Sequence, residues 1–188
     1  MPTISQNVLV PQPPELVWGL LKDVSAVAEC MPGVELTEDL GDGQYKGRLR
    51  TKLGAITATF EGEAKITTDD TSKSGTIDAR GVDSKGGSRA SAAVRYSAQQ
   101  DPQGTRLDVA ADIKLLGRLA QFGKSGLLQE ISNQMVSTFA ANLADRVATG
   151  HSTGPAGEVR MVRVVGRAMW ARMKALFSGL RRLARRNP

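Results

Sequence analysis

The apolar positions change spacing along the chain, and each change marks an element. Thr3–Val10 alternates as a short strand and is stopped by Pro11-Gln12-Pro13-Pro14. Pro14 and Glu15 suit a first helical turn, and Leu16, Val17, Leu20 and Leu21 follow at helical spacing. Asp23 or Ser25 caps a second short helix over Val24–Met31, which Pro32-Gly33 ends. From Val34 to Leu115 the pattern alternates, with Gly and Asp as punctuation. Tyr45, Gly47, Leu49, Thr51 and Leu53 share one face, and Lys46, Arg48, Arg50 and Lys52 the other. After a turn at Gly54-Ala55, Ile56, Ala58, Phe60, Gly62, Ala64 and Ile66 alternate with Thr57, Thr59, Glu61, Glu63 and Lys65. The two runs predict a hairpin with Arg48, Arg50 and Lys52 facing Glu61 and Glu63, a solvated and partly paired outer face.

Three further strands are predicted, Gly75–Val82, Ser88–Ala98 and Thr105–Leu115. Their inward positions are Ile77, Ala79, Ala90, Ala92, Val94, Tyr96, Leu107, Val109, Ala111 and Ile113. A helical pattern runs from Leu119 to Val147, with Leu127, Leu128, Ile131, Met135, Val136, Phe139 and Leu143 at spacings of three and four. A strand, two short helices, an antiparallel meander and one long helix make an α+β fold, a curved sheet wrapped around the last helix.

Composition sharpens this reading. The 188 residues include 20 Gly but only 4 Phe, 2 Tyr and 2 Trp. The inner faces therefore rely on small residues: Gly47, Ala58, Gly62, Ala64, Ala79, Ala90, Ala92 and Ala111. A close-packed interior needs volume. Either the long helix supplies it, or an apolar tunnel remains of the kind that takes lipid-like ligands. A single Cys excludes a disulfide framework and Cys-rich metal sites, and a single His excludes most Ser–His or Cys–His catalysis. Gly117-Arg118-Leu119-Ala120-Gln121-Phe122-Gly123-Lys124-Ser125 superficially resembles a phosphate loop. It has one residue too many between its glycines and large apolar residues inside, so it does not cradle phosphate. Asp69-Asp70 reads as a pair of solvated turn acids.

The net charge of +6 hides an asymmetry. Residues 158–188 hold nine Lys or Arg and one acid, while the other 157 residues hold sixteen basic and eighteen acidic groups. On a helix from Val159, Val162, Val165, Met169, Met173, Leu176, Leu180 and Leu183 form a stripe widened by Phe177. Arg167, Lys174 and Arg181 lie opposite, with Trp170 at the boundary. These twelve residues are the candidate contacts with an anionic membrane surface. A helix packed on this protein or on a partner remains open. Nucleic acid is disfavoured, because phosphate binding gives no reason for the stripe. Gly150–Gly157 is a flexible linker between a domain at 1–149 and the tail helix. Neither a secretory run nor an uncharged apolar stretch of ~18 residues is present, which predicts a cytoplasmic protein held peripherally at the membrane. Cys30 as a free thiol agrees.

Certain words in the sequence add a resemblance. Cys30-Met31-Pro32-Gly33-Val34-Glu35, Gly43-Gln44-Tyr45-Lys46-Gly47 and Leu53-Gly54-Ala55-Ile56-Thr57-Ala58-Thr59-Phe60-Glu61-Gly62 are three of them. Gly104-Thr105-Arg106-Leu107 and Gly117-Arg118-Leu119-Ala120-Gln121-Phe122-Gly123, which opens the last helix, complete the set. With the order of elements, they resemble the G-subunit family of carbon monoxide dehydrogenase over about residues 3–147. Lys85-Gly86-Gly87 is a thinner version of the family's Gly-rich turn before the sixth strand.

The resemblance implies a helix-grip fold of the START and Bet v 1 type. It also implies a non-catalytic accessory protein of a molybdenum-dependent carbon monoxide dehydrogenase, linking that enzyme to the inner face of the cytoplasmic membrane. Helix-grip relatives hold apolar ligands, so a lipid or a respiratory quinone such as menaquinone is the expected ligand, with no metal or covalent cofactor. The candidate ligand residues are Met31, Tyr45, Phe60, Tyr96, Leu119, Phe122, Leu127, Leu128, Ile131, Met135 and Phe139. Tyr45 and Tyr96 supply the phenols able to bond a quinone carbonyl. A solid scaffold without ligand and a small cyclase or hydrolase are the competing readings.

Overall fold

The computed structural model describes residues 3–124 and 126–150. The linker and tail positions singled out above, 151–188, lie outside them, including Val162, Val165, Arg167, Met169, Trp170, Met173, Lys174, Leu176, Phe177, Leu180, Arg181 and Leu183. The strands are β1 (Thr3–Val10), β2 (Val34–Gly41), β3 (Gln44–Leu53), β4 (Ile56–Asp69), β5 (Ser74–Asp83), β6 (Arg89–Asp101) and β7 (Gly104–Leu116). The helices are α1 (Pro14–Leu21), α2 (Val24–Cys30) and α3 (Gly126–Thr149), with a 3-10 segment at Gly117–Lys124. All seven strands form one antiparallel sheet in the order β1-β7-β6-β5-β4-β3-β2. Each of β2 to β6 pairs with the next in sequence, which is what short turns between alternating runs dictate. β1 closes the far edge beside β7.

Local chemistry explains the boundaries. Pro14 starts α1, where its missing N–H is no loss. Of the two candidate caps, Asp23 is the one used: its carboxylate accepts from the Ala26 N–H at 3.0 Å. α2 ends before Gly33, which sits at φ +77°, where a Cβ would collide with the Arg50 backbone oxygen. Chain entry into β2 thus needs a glycine there.

Two expectations are corrected. The last α-helix begins at Gly126, not at Leu119, and the Gly117–Gly123 word forms the 3-10 segment instead. Three glycines within ten residues weaken an α-helix. A three-residue turn also sets Leu119 and Phe122 on one side, and both join the same apolar cluster. In the β3–β4 hairpin, Arg48 does pair with Glu61 at 3.3 Å, but Arg50 and Lys52 lie opposite Thr59 and Thr57. Lys46, not one of the three, faces Glu63.

Candidate functional site

The strand register stacks inner-face residues into rows that cross the sheet. One row runs Tyr45, Ala64, Ala79, Ala92, Ile113 and the next runs Ile66, Ile77, Val94, Ala111, Ile4. Every member of these two rows except the edge residue Ile4 is only half-buried. The fully buried residues fall into two clusters that share no member. At one end, Val10, Val17, Trp18, Leu21, Cys30, Leu107, Phe139 and Leu143 pack together beneath α1 and α2. At the other, Leu53, Ala58, Phe60 and Leu119 pack together, with Phe122 and Ile131 against them. Between the clusters the floor is mainly Ala, Ile and Val, and it is half-buried.

α3 spans both ends. Gln6 on β1 donates to Asn133 Oδ1 at 2.6 Å, which holds the middle of the helix at the sheet's β1 edge. Leu127, near the helix start, lies over the β3–β4 turn, 3.8 Å from where a Cβ of Gly54 would stand. Towards its C-terminus, Asn142 donates to the Cys30 carbonyl at 2.8 Å, and Arg146 pairs with Glu29. The helix is thus pinned near its ends and along one side, and the half-buried rows lie between the pins.

The predicted ligand residues divide over this arrangement. Phe60, Leu119, Phe122 and Ile131 belong to the far cluster, and Met31, Tyr96 and Phe139 to the cluster under α1 and α2. Leu128 is buried and Leu127 half-buried. Tyr45 lies in the open rows, while Met135 is half-buried on α3, one turn from both Ile131 and Phe139. Except for Tyr45, the aromatic candidates therefore sit at the two ends of the half-buried rows and leave the middle to aliphatic side chains. Ile66, Ile77, Val94 and Ile113 line that middle. Alternation marks them as inward, but none of them is among the predicted ligand residues.

Electrostatics around these rows are sparse. Tyr96 stacks obliquely on Trp18, with centroids 6.4 Å apart, and burial pushes its phenol above the ordinary tyrosine range. Its hydroxyl lies against Gly75, where a Cβ would strike it. Ser88 Oγ, on the same face as Ala90, is buried and lacks a hydrogen-bond partner. The carboxylate of the neighbouring Asp83 accepts from the Thr59 N–H at 3.3 Å. Cys30 is fully buried and its thiol is raised by desolvation, which suits a core residue and not a nucleophile. Asp69 accepts from the Thr71 N–H at 2.9 Å and so shapes its own turn, while Asp70 accepts from Trp18 Nε1 at 2.7 Å. Among the described residues there is no group of three or more His, Cys, Asp or Glu able to hold a metal.

The family model for the G subunit of carbon monoxide dehydrogenase (CoxG) matches residues 7–148. The chain belongs to that family. Membership implies an accessory role for a carbon monoxide dehydrogenase. No curated protein sequence is significantly similar to this CoxG-family chain. Solved structures agree on the fold. A conserved protein from Geobacillus kaustophilus superposes with a TM-score of 0.66 at 20% identity, over 79% of this chain and 95% of its own. A Thermus thermophilus protein gives 0.57 at 18% identity, over 80% and 100%. The Zhui aromatase/cyclase from Streptomyces sp. R1128 gives 0.54 at 19% identity, over 88% and 98%. Such identities speak for the fold alone, which is the helix-grip fold. Among the described residues no helix is long and apolar enough to cross a membrane.

Proposed function

We propose that this CoxG-family protein carries an apolar molecule, a respiratory quinone such as menaquinone, in the cleft between sheet and α3. In this reading it presents that cargo to a molybdenum-dependent carbon monoxide dehydrogenase, and its basic tail holds the pair against the anionic inner face of the cytoplasmic membrane. The observation that carries the reading is the band of half-buried Ala and Ile side chains between two closed clusters. A domain of this size gains stability by burying apolar surface. Leaving two rows of it accessible beneath a helix is costly unless something apolar fills the space. A quinone ring and prenyl tail would meet Ile66, Ile77, Val94 and Ile113, with Tyr45 the phenol in the same open rows.

The scaffold reading rests on a specific observation too. Phe60 and Phe139, two of the aromatic candidates for a ligand wall, are already buried at 7% exposure. The purified full-length protein, extracted with organic solvent and analysed by mass spectrometry, separates the two. The carrier releases a quinone approaching one per chain. A scaffold releases only the bulk lipids of its preparation, in their membrane proportions.

A further inference from the structure

The half-buried band of the inner face ends on polar side chains. Beyond the row of Tyr45, Ala64, Ala79, Ala92 and Ile113, the register sets Gly47, Gly62, Gly81, Ala90 and Leu115 side by side, all half-buried. The next inner positions are Phe60, Asp83 and Ser88. Phe60 lies opposite Asp83, and the Asp83 N–H donates to the Ser88 carbonyl at 2.7 Å. Asp83 and Ser88 are buried, at 7% and 1% exposure. Ser88 Oγ has no hydrogen-bond partner among the described residues. Asp83 Oδ1 accepts from the Thr59 and Lys85 N–H groups at 3.3 and 3.5 Å, whereas Oδ2 accepts from no described residue. Gly86, in the turn that joins the two strands, lets a cation approach. A Cβ there would overlap both Asp83 Oδ2 and the Arg118 guanidinium, yet these two groups close no ion pair. Buried polar groups in native proteins are almost always paired, so two unpaired acceptors side by side at the end of an apolar band call for an occupant.

We infer that Asp83 and Ser88 form the polar end of the ligand site and receive a phenolic hydroxyl: in the carrier reading, on which this inference rests, the quinol in preference to the quinone. The inventory of donors and acceptors decides the class. The Asp83 carboxylate only accepts, Arg118 only donates, and the Ser88 hydroxyl does either. A ligand hydroxyl donates to Asp83 Oδ2 and accepts from Ser88 Oγ–H, which pairs every group. Neighbouring strands lie ~5 Å apart, so one oxygen between these two side chains reaches both. A carbonyl or an ether only accepts. It can meet Ser88, but it leaves Oδ2 unpaired and turns its lone pairs towards a carboxylate. A carboxylate or phosphate head group would bring a second negative charge beside Asp83. The glycine row carries no side chain, so a flat ring can approach the backbone there, with Phe60 beside it. The apolar tail then lies along the aliphatic rows beyond.

The test titrates full-length protein, under nitrogen, with a short-chain menaquinone and with the same molecule reduced by dithionite. Wild type should bind the quinol at least ~10-fold more tightly, the worth of a hydrogen bond to a charged group. Asp83→Asn should erase that preference. Its amide oxygen can keep the Thr59 contact, while its NH2 group suits a carbonyl. Ser88→Ala should weaken quinol binding by ~5-fold and leave the urea midpoint unchanged, because no bond within the protein is lost. It also keeps the test open should Asp83→Asn disturb the turn. Equal affinity of wild type for the two forms overturns the subsite and leaves the carrier standing, as does a wild-type preference retained in Asp83→Asn. Ser88→Ala binding both forms as wild type does would assign the hydroxyl to a trapped water, and overturns the subsite as well. If wild type binds neither form, the carrier reading fails, and 1-naphthol against its methyl ether tests the subsite by itself. A preference for the naphthol that Asp83→Asn abolishes upholds it, and the lack of one overturns it.

Discussion

At Gly62 two strands come so close that the absent side chain matters. A Cβ there would overlap the Arg80 backbone oxygen and stand 2.6 Å from Gly81 Cα. Backbone cannot move aside as a flexible side chain can, so Gly62→Ala should cost about 1–3 kcal/mol, seen as a lower urea midpoint. Gly19 in α1 is the contrast: nothing lies within 4 Å of its missing Cβ. Gly19→Ala should raise stability by about 0.5–1 kcal/mol through helix propensity. Cys30 gives a pH signature. Desolvation raises its thiol above the ordinary value, so the folded state resists ionisation that the unfolded chain accepts. Its contribution to stability is whole below the unfolded thiol pKa, about 8.5, and declines as pH climbs towards the raised folded value. Urea midpoints at pH 7 and pH 9.5 should fall further apart for wild type than for Cys30→Ala. Residue-level legibility was uneven for a physical reason. Alternation tells which face a strand residue takes, and it assigned Ile77, Val94 and Ile113 inward. It does not tell where along the face the packing closes. That depends on α1 and α2 capping one end and on the 3-10 segment capping the other, so Phe60 and Phe139 became core.

At the scale of elements, α1 is fastened to the β4–β5 turn by charged groups. Trp18 Nε1 donates to Asp70 at 2.7 Å, Lys22 pairs with the same carboxylate at 3.0 Å, and Lys73 pairs with Glu15 at 2.9 Å. Asp70 and Glu15 are both held below the usual carboxylate range, by Trp18 and Lys22 in one case and by Lys73 in the other. Lowered values mean that the fastening is complete above the ordinary carboxylate pKa and is lost as pH falls through the depressed ones. Trp18 emission in a Trp170→Phe background should shift to the red on acidification, before global unfolding by circular dichroism. Asp70→Asn should remove most of that early step, and a shift of unchanged size there would refute the anchor. Strands and turns were legible because period two, broken by Gly and Asp, has few other physical solutions. The start of α3 was not. Leu119, Phe122 and Leu127 fit a helical stripe on paper, and only the packing of Leu119 with Phe122 on Leu53 and Phe60 distinguishes a 3-10 turn from an α-helical one.

For the whole molecule, the proposed function matches two parts of the chain to two contacts: the space beneath α3 to an apolar cargo, and residues 158–188 to an anionic bilayer. Removing residues 158–188 should leave the domain folded, because its buried clusters are complete by Leu143, and should abolish sedimentation with anionic vesicles. Rising salt should weaken the full-length protein's attachment without releasing it fully, since buried apolar area is not screened. Met169→Glu with Leu176→Glu should release it even at low salt. Vesicle binding at wild-type strength in that double variant would make the tail an electrostatic or partner-binding arm. The cleft is central to all of this, and menaquinone binding by Ala92→Leu with Ala111→Leu tests it most directly. In an open cleft the added side chains occupy ligand space: quinone uptake should be lost while the urea midpoint stays close to wild type. In a closed core the same pair overpacks and should cost about 1–3 kcal/mol. That loss of stability, with no quinone bound by the wild-type protein either, would contradict the carrier and leave a solid scaffold.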